Sequence, residues 1–241
     1  MNRRSYNQYC GLAHALDVLG ERWSLLIIRE LLTGPKRYKD LQKHLAGIGT
    51  NLLAQRLKML EEEGIIKRRL LPPPASTEAY GLTERGRALE PALIELARWG
   101  LASIGKPDPE DAYSGHWSIL AMKAVFRPER AAEVRATYEF RVGEDVFYAR
   151  VENGTLLTGQ GAATLPDVVL TTDLDTYLAV VAGEMTTEEA MQEEVMVVEG
   201  DQEAWQRCSD FLDLSPLRQS AKRETKVLDF TGRTGPRGRK L

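Results

Sequence analysis

The chain has 241 residues, 43% of them hydrophobic and 28% charged, a balance that excludes a disordered chain and suits two domains of about 100 residues each. No apolar run approaches the roughly 18 residues of a membrane span, the start Met1-Asn2-Arg3-Arg4-Ser5-Tyr6 lacks a signal peptide's apolar stretch, and two distant cysteines, Cys10 and Cys208, suggest neither a disulfide scaffold nor a metal cluster. The net charge of −3 is uneven: residues 1–105 carry +5, residues 106–212 carry −13 and residues 213–241 carry +5. A cytoplasmic protein that meets a polyanion with part of its length is the expectation.

In chain order, Leu12, Leu16 and Leu19 recur at helical spacing until Gly20, and Arg22 to Leu32 is apolar on all sides, as in a helix at a domain centre. Thr33-Gly34-Pro35 stops it. A short helix over 37–46 turns Tyr38, Leu41 and Leu45 inward. After Gly47-Ile48-Gly49, Thr50 is the expected N-cap of a helix reaching Glu63, with Leu53, Leu57 and Leu60 on one face. Gly64 closes it. Residues 65–71 read as a strand, 72–76 as a proline-rich turn, and 79–82 as the returning strand. Thr83 caps an amphipathic run carrying Leu89, Leu93, Leu96 and Trp99. Residues 105–111 have linker composition.

Beyond the linker, helices are expected over 117–126 and 129–136. Four strands follow: 137–142, 147–151, 155–158 and 168–172. Helices from Leu174 and Thr187, a strand over 195–198 and a helix capped by Asp201 complete an α+β unit with a mainly antiparallel sheet. The tail 214–241 is basic and without apolar period, and reads as flexible. Three domains of function result: 6–105, 113–213 and the tail.

Helix–turn–helix followed by a basic ribbon suits DNA. The start of the second helix of the pair would offer Thr50, Asn51 and Gln55, then Arg56 and Lys58, to base edges, because Asn and Gln form paired hydrogen bonds with adenine and Arg with guanine. Lys67, Arg68 and Arg69 on the ribbon, and Lys36, Arg37 and Lys39 before and in the short helix, would meet phosphates.

Residues 10–100 resemble the HxlR-type winged-helix transcriptional regulators. The resemblance runs through Cys10, the stretch Ala15 to Trp23, Leu31, Gly34, Arg37 to Leu41, Gly47-Ile48, Leu60-Glu61, Gly64, the proline-rich wing and Tyr80 to Gly86. It implies a homodimer on a near-palindromic operator, joined through the first helix and the helix after the wing, with Leu12, Leu16, Leu89, Leu93, Leu96 and Trp99 as interface candidates. It also implies that Cys10 is a candidate redox or electrophile sensor, since a sensing thiol needs a lowered pKa. Residues 113–213 more weakly resemble the sterol-carrier-protein fold, through Tyr138 to Val142, Asn153-Gly154, Pro166 to Thr172 and Val195 to Asp201. That resemblance implies an apolar pocket for a small-molecule effector, with Trp117, Leu120, Phe126, Phe140, Phe147 and Tyr177 as candidates. A purely structural second domain and a lipid carrier are the alternatives. His14, His44 and His116 share no metal spacing and no catalytic motif is present, so no enzyme activity, metal or cofactor is expected.

Overall fold

The computed structural model describes residues 5–73, 76–104 and 110–212. The expected linker at 105–109, two residues of the wing turn and the tail from 213 lie outside the described residues. The fold is a winged helix-turn-helix followed by an α+β unit.

The first half contains α1 (Gly11–Leu19), α2 (Ser24–Leu32), α3 (Tyr38–His44), α4 (Thr50–Glu62), the ribbon β1 (Ile66–Leu70) and β2 (Glu78–Leu82), a short α5 (Glu84–Arg87) and α6 (Glu90–Leu101). Ile27 and Ile28 of α2, Leu41 of α3, and Leu53, Leu57 and Leu60 of α4 are buried together, so the apolar period of each helix sets which face turns inward.

Local chemistry moves several boundaries. The second helix starts at Ser24 rather than Arg22, because Trp23 sits at φ 82° in the left-handed region. Gly49, not Thr50, occupies the N-cap of α4. The run after Thr83 is two helices: Thr83 Oγ1 accepts from Gly86 N–H, and Pro91 in the first turn of α6 starts a fresh helix.

The second half contains α7 (Trp117–Val125), β3 (Arg135–Val142), β4 (Asp145–Glu152), β5 (Thr155–Gln160), β6 (Val168–Thr172), α8 (Leu174–Ala182), α9 (Thr187–Gln192), β7 (Met196–Gly200) and α10 (Gln202–Phe211). The helix expected over 129–136 is only a 3-10 turn at Pro128–Arg130, after which β3 begins. The strand order is β5-β4-β3-β6-β7, antiparallel except for β3 against β6. Alternation places Tyr138, Phe140 and Val142 on the core face beside Phe147, Ala149 and Val151. Gly183 ends α8 at φ 70°, a left-handed cap that suits glycine.

Candidate nucleic-acid interface

Helix α4 presents a polar face opposite its leucines. Thr50, Asn51, Gln55 and Lys58 are exposed, and the Tyr38 hydroxyl donates to the Thr50 carbonyl at 2.8 Å, holding the start of α4 against α3. Lys58 lies 3.7 Å from Glu62 one turn on, an exposed pair that water competes for. Arg56 departs from the expectation. Its guanidinium donates to Glu21 Oε2 at 2.6 Å and to the Arg22 carbonyl at 3.1 Å, leaving the side chain 11% exposed. Arg56 therefore fixes α4 to the α1–α2 turn and is withdrawn from base edges.

Two other basic candidates are engaged elsewhere. Lys36 is buried; its backbone bridges Tyr80 as a third rung beside the ribbon, and its Nζ donates to Gln160 Oε1 of β5 at 3.3 Å. Burial pulls its pKa down, against the pull of Glu30 and Asp40. It is not placed to meet phosphate. Arg68 lies between Glu61 of α4 at 3.4 Å and Glu78 of the wing at 3.3 Å, over the Tyr80 ring, so its charge is partly answered within its own chain. Arg69 is half-buried, in reach of Gly81. Lys67 on the wing and Arg37 and Lys39 on the α3 side are exposed.

Of the interface candidates, Leu12, Leu16, Leu96 and Trp99 are exposed, Trp99 at 78%. Tyr6, Tyr9 and Ile104, which the sequence reading did not single out, are exposed as well. Leu93 is buried in its own chain's core and Leu89 packs against that core. Leu93 thus has no surface for a partner, because α6 packs against both α2 and α7 and turns only its remaining face, with Leu96 and Trp99, to solvent. Cys10 is exposed at the N-terminus of α1, and the N–H groups of Ala13 and Leu12 hold its thiol below the usual range. Cys208 is buried, and burial pushes its thiol up to about 12.

The six pocket candidates do not converge. Phe140 and Phe147 stack at 5.3 Å, Tyr177 meets Phe147 edge-on at 6.3 Å, and Phe126 meets Phe211 at 6.0 Å. These four fill the sheet's own core. Leu120 instead packs against the first half's core and lines a cavity of about 70 Å³ between α2, α6, α7 and β5. In that wall the hydroxyl of Thr158 is buried and unpartnered.

Trp117 belongs to a cluster that sequence reasoning missed. Glu30 of α2 is fully buried. Its Oε1 accepts from Arg29 at 2.8 Å and from Trp117 Nε1 at 2.7 Å. Its Oε2 meets His116 Nε2 at 2.6 Å and His44 Nδ1 at 3.1 Å. Burial alone would raise the Glu30 pKa, but the hydrogen bond and charge of His116 and the charge of Arg29 hold it down at about 2. Burial, then His116, lowers the pKa of His44, while Glu30 opposes. Two histidines that share no metal spacing in the sequence are thus 4.6 Å apart, ring centre to ring centre. The signal was a carboxylate in the apolar run Ile27-Ile28-Arg29-Glu30-Leu31, since a charge in a buried helix demands partners. Their identity was hidden by separations of 14 and 86 residues.

Comparison with known proteins gives two family matches. Residues 18–107 match the model of the HxlR-like helix-turn-helix, and residues 124–218 match that of the alkyl sulfatase C-terminal region, a description other than sterol carrier. The chain is 39% identical over 85 residues to the uncharacterized HTH-type transcriptional regulator YvaP of Bacillus subtilis, covering 35% of this chain and 79% of YvaP. It is 41% identical over 85 residues to the HTH-type transcriptional regulator YodB of the same organism, covering 35% and 76%. The solved structure of the reduced form of YodB from B. subtilis covers 43% of this chain and all of that one, at 36% identity and a TM-score of 0.35. Among the described residues, no helix is long and apolar enough to cross a membrane.

Proposed function

The chain belongs to the HxlR-like helix-turn-helix family of transcriptional regulators, and from that premise we propose that it acts in the cytoplasm as a homodimer on a near-palindromic operator, with its second half as an effector-responsive domain. The observation that carries the DNA reading is the face of α4, where Thr50, Asn51, Gln55 and Lys58 are exposed while Leu53, Leu57 and Leu60 hold the opposite side in the core. Such a helix enters a major groove with its first turns on base edges, and Arg37, Lys39 and Lys67 supply phosphate contacts beside it. The exposed apolar side chains Leu12 and Leu16 on α1 and Leu96 and Trp99 on α6 support pairing of two chains through these helices. The functional units are residues 6–105 for DNA and pairing and 113–213 for response. The effector reading rests on the second half's direct hold on the helix-turn-helix through Glu30, a route by which a ligand favouring one arrangement would change operator affinity.

Selection of binding sites from random duplex DNA, followed by fluorescence anisotropy on the selected operator, tests the reading. Asn51→Ala and Gln55→Ala should each cost about 1–3 kcal/mol and relax preference at one base position. Unchanged affinity and preference in both would refute the groove assignment.

A second reading has its own observation. Cys10 is exposed with a thiol held below its usual range, which suits a redox or electrophile sensor, the second half then being structural. A Cys10→Ser protein that still loses DNA on oxidation would exclude it.

A further inference from the structure

We propose that Glu30, His44 and His116 form a binding site for a divalent transition-metal ion, of the zinc class, that joins the two halves of the chain. One atom from each, Glu30 Oε2, His44 Nδ1 and His116 Nε2, lies within 4.8 Å of the others. A tetrahedral ion with N and O ligands at 2.0–2.2 Å holds them about 3.3 Å apart. The present separations from Oε2 are 2.6 and 3.1 Å, so the imidazoles would move outward by a few tenths of an ångström to admit the ion.

Three features go beyond proximity. Arg29 and Trp117 occupy Oε1, which turns Oε2 alone toward the imidazoles and makes the carboxylate a single-atom ligand. Ser114 Oγ lies 2.7 Å from His116 Nδ1 and orients that ring, the outer-layer contact typical of a metal-bound histidine. His116 also lines the cavity between the halves, which offers an entry path.

Ligand chemistry narrows the ion. Two imidazoles and one carboxylate suit zinc, nickel or copper and disfavour magnesium and calcium, which take oxygen ligands. The guanidinium of Arg29 offsets the single carboxylate and the buried Lys36 ammonium adds a second positive charge nearby, so binding is modest in strength and leaves a fourth position for water or an anion.

The test is calorimetric titration of the untagged, chelator-treated full chain with zinc chloride, with melting curves in parallel. One ion per chain is expected, with a rise in Tm. His44→Gln and His116→Gln should each weaken binding by at least about tenfold and abolish the rise, Ser114→Ala should weaken it less, and magnesium chloride should have no effect. Cobalt(II) in place of zinc should give a tetrahedral absorption spectrum. Should His116→Gln fail to fold, His44→Gln decides, since that ring is 22% exposed and tolerates replacement. No zinc uptake by the folded chain, or uptake unchanged in His44→Gln, would overturn the site and leave the cluster a hydrogen-bonded clasp.

Discussion

The two halves use their side chains in opposite ways. The first turns a polar helix face outward, with leucines behind it, and leaves Leu12, Leu16, Leu96 and Trp99 in solvent. The second turns its aromatics inward: Phe140, Phe147, Tyr138 and Phe211 occupy its own core, and it meets its neighbour through Leu120, packed on the first core, and polar contacts at Glu30, Lys36, Glu90 and Arg98. A polar helix face and apolar side chains in solvent can thus be read directly, whereas contacts between two halves show themselves only at the junction.

The contrast is broken most sharply at the two thiols. In the native protein at pH 8, iodoacetamide should label Cys10 and spare Cys208, with rates differing by about a thousandfold or more, as mass spectrometry of tryptic peptides would show. Because the Cys10 pKa is lowered, its reactivity should persist to lower pH than that of a free thiol. Equal labelling of both would mean that the second core is open. Next in size, Phe147→Ala should cost about 3–5 kcal/mol in urea unfolding, since that ring is fully buried and stacked. Trp99→Ser, by contrast, should leave stability within about 0.5 kcal/mol per chain while shifting sedimentation toward monomer. A stable Phe147→Ala protein would show that the ring lines a void. The smallest effect is expected at the wing: Lys67→Ala should lower the slope of log affinity against log salt by about 1 per chain contact. Arg68→Ala should change it less, because Glu61 and Glu78 already answer that charge.

Much of the first half was legible because helical period, glycine stops and proline breaks act over a few residues. Leu53, Leu57 and Leu60 could be assigned inward from spacing alone, and Gly64 as a terminus. Which cation stays available could not be read in this way. Arg56, Lys36 and Arg68 look like Lys58 and Lys67 in composition, but carboxylates, carbonyls and an amide brought near by tertiary packing claim the first three. In the second half, alternation revealed the strands and the core-facing side of β3 and β4. It could not distinguish an aromatic that lines a pocket from one that fills a core, since both face the same way. The Glu30 cluster was hidden for a third reason: its members come from α2, α3 and the start of α7, so the packing of α2 on α3 brings Glu30 to His44 and the packing of the two halves adds His116.

Arg56 carries one more consequence. With one end of its guanidinium on the side chain of Glu21 and the other on the main chain of Arg22, it removes the play between the turn after α1 and the middle of α4. In the proposed pair of chains, a shift of α1 at the seam would tilt α4 with it. The gap between half-sites and the letters within each half-site would then be sensed as a single quantity, so a spacing error of one base pair should penalise binding as a misread base does.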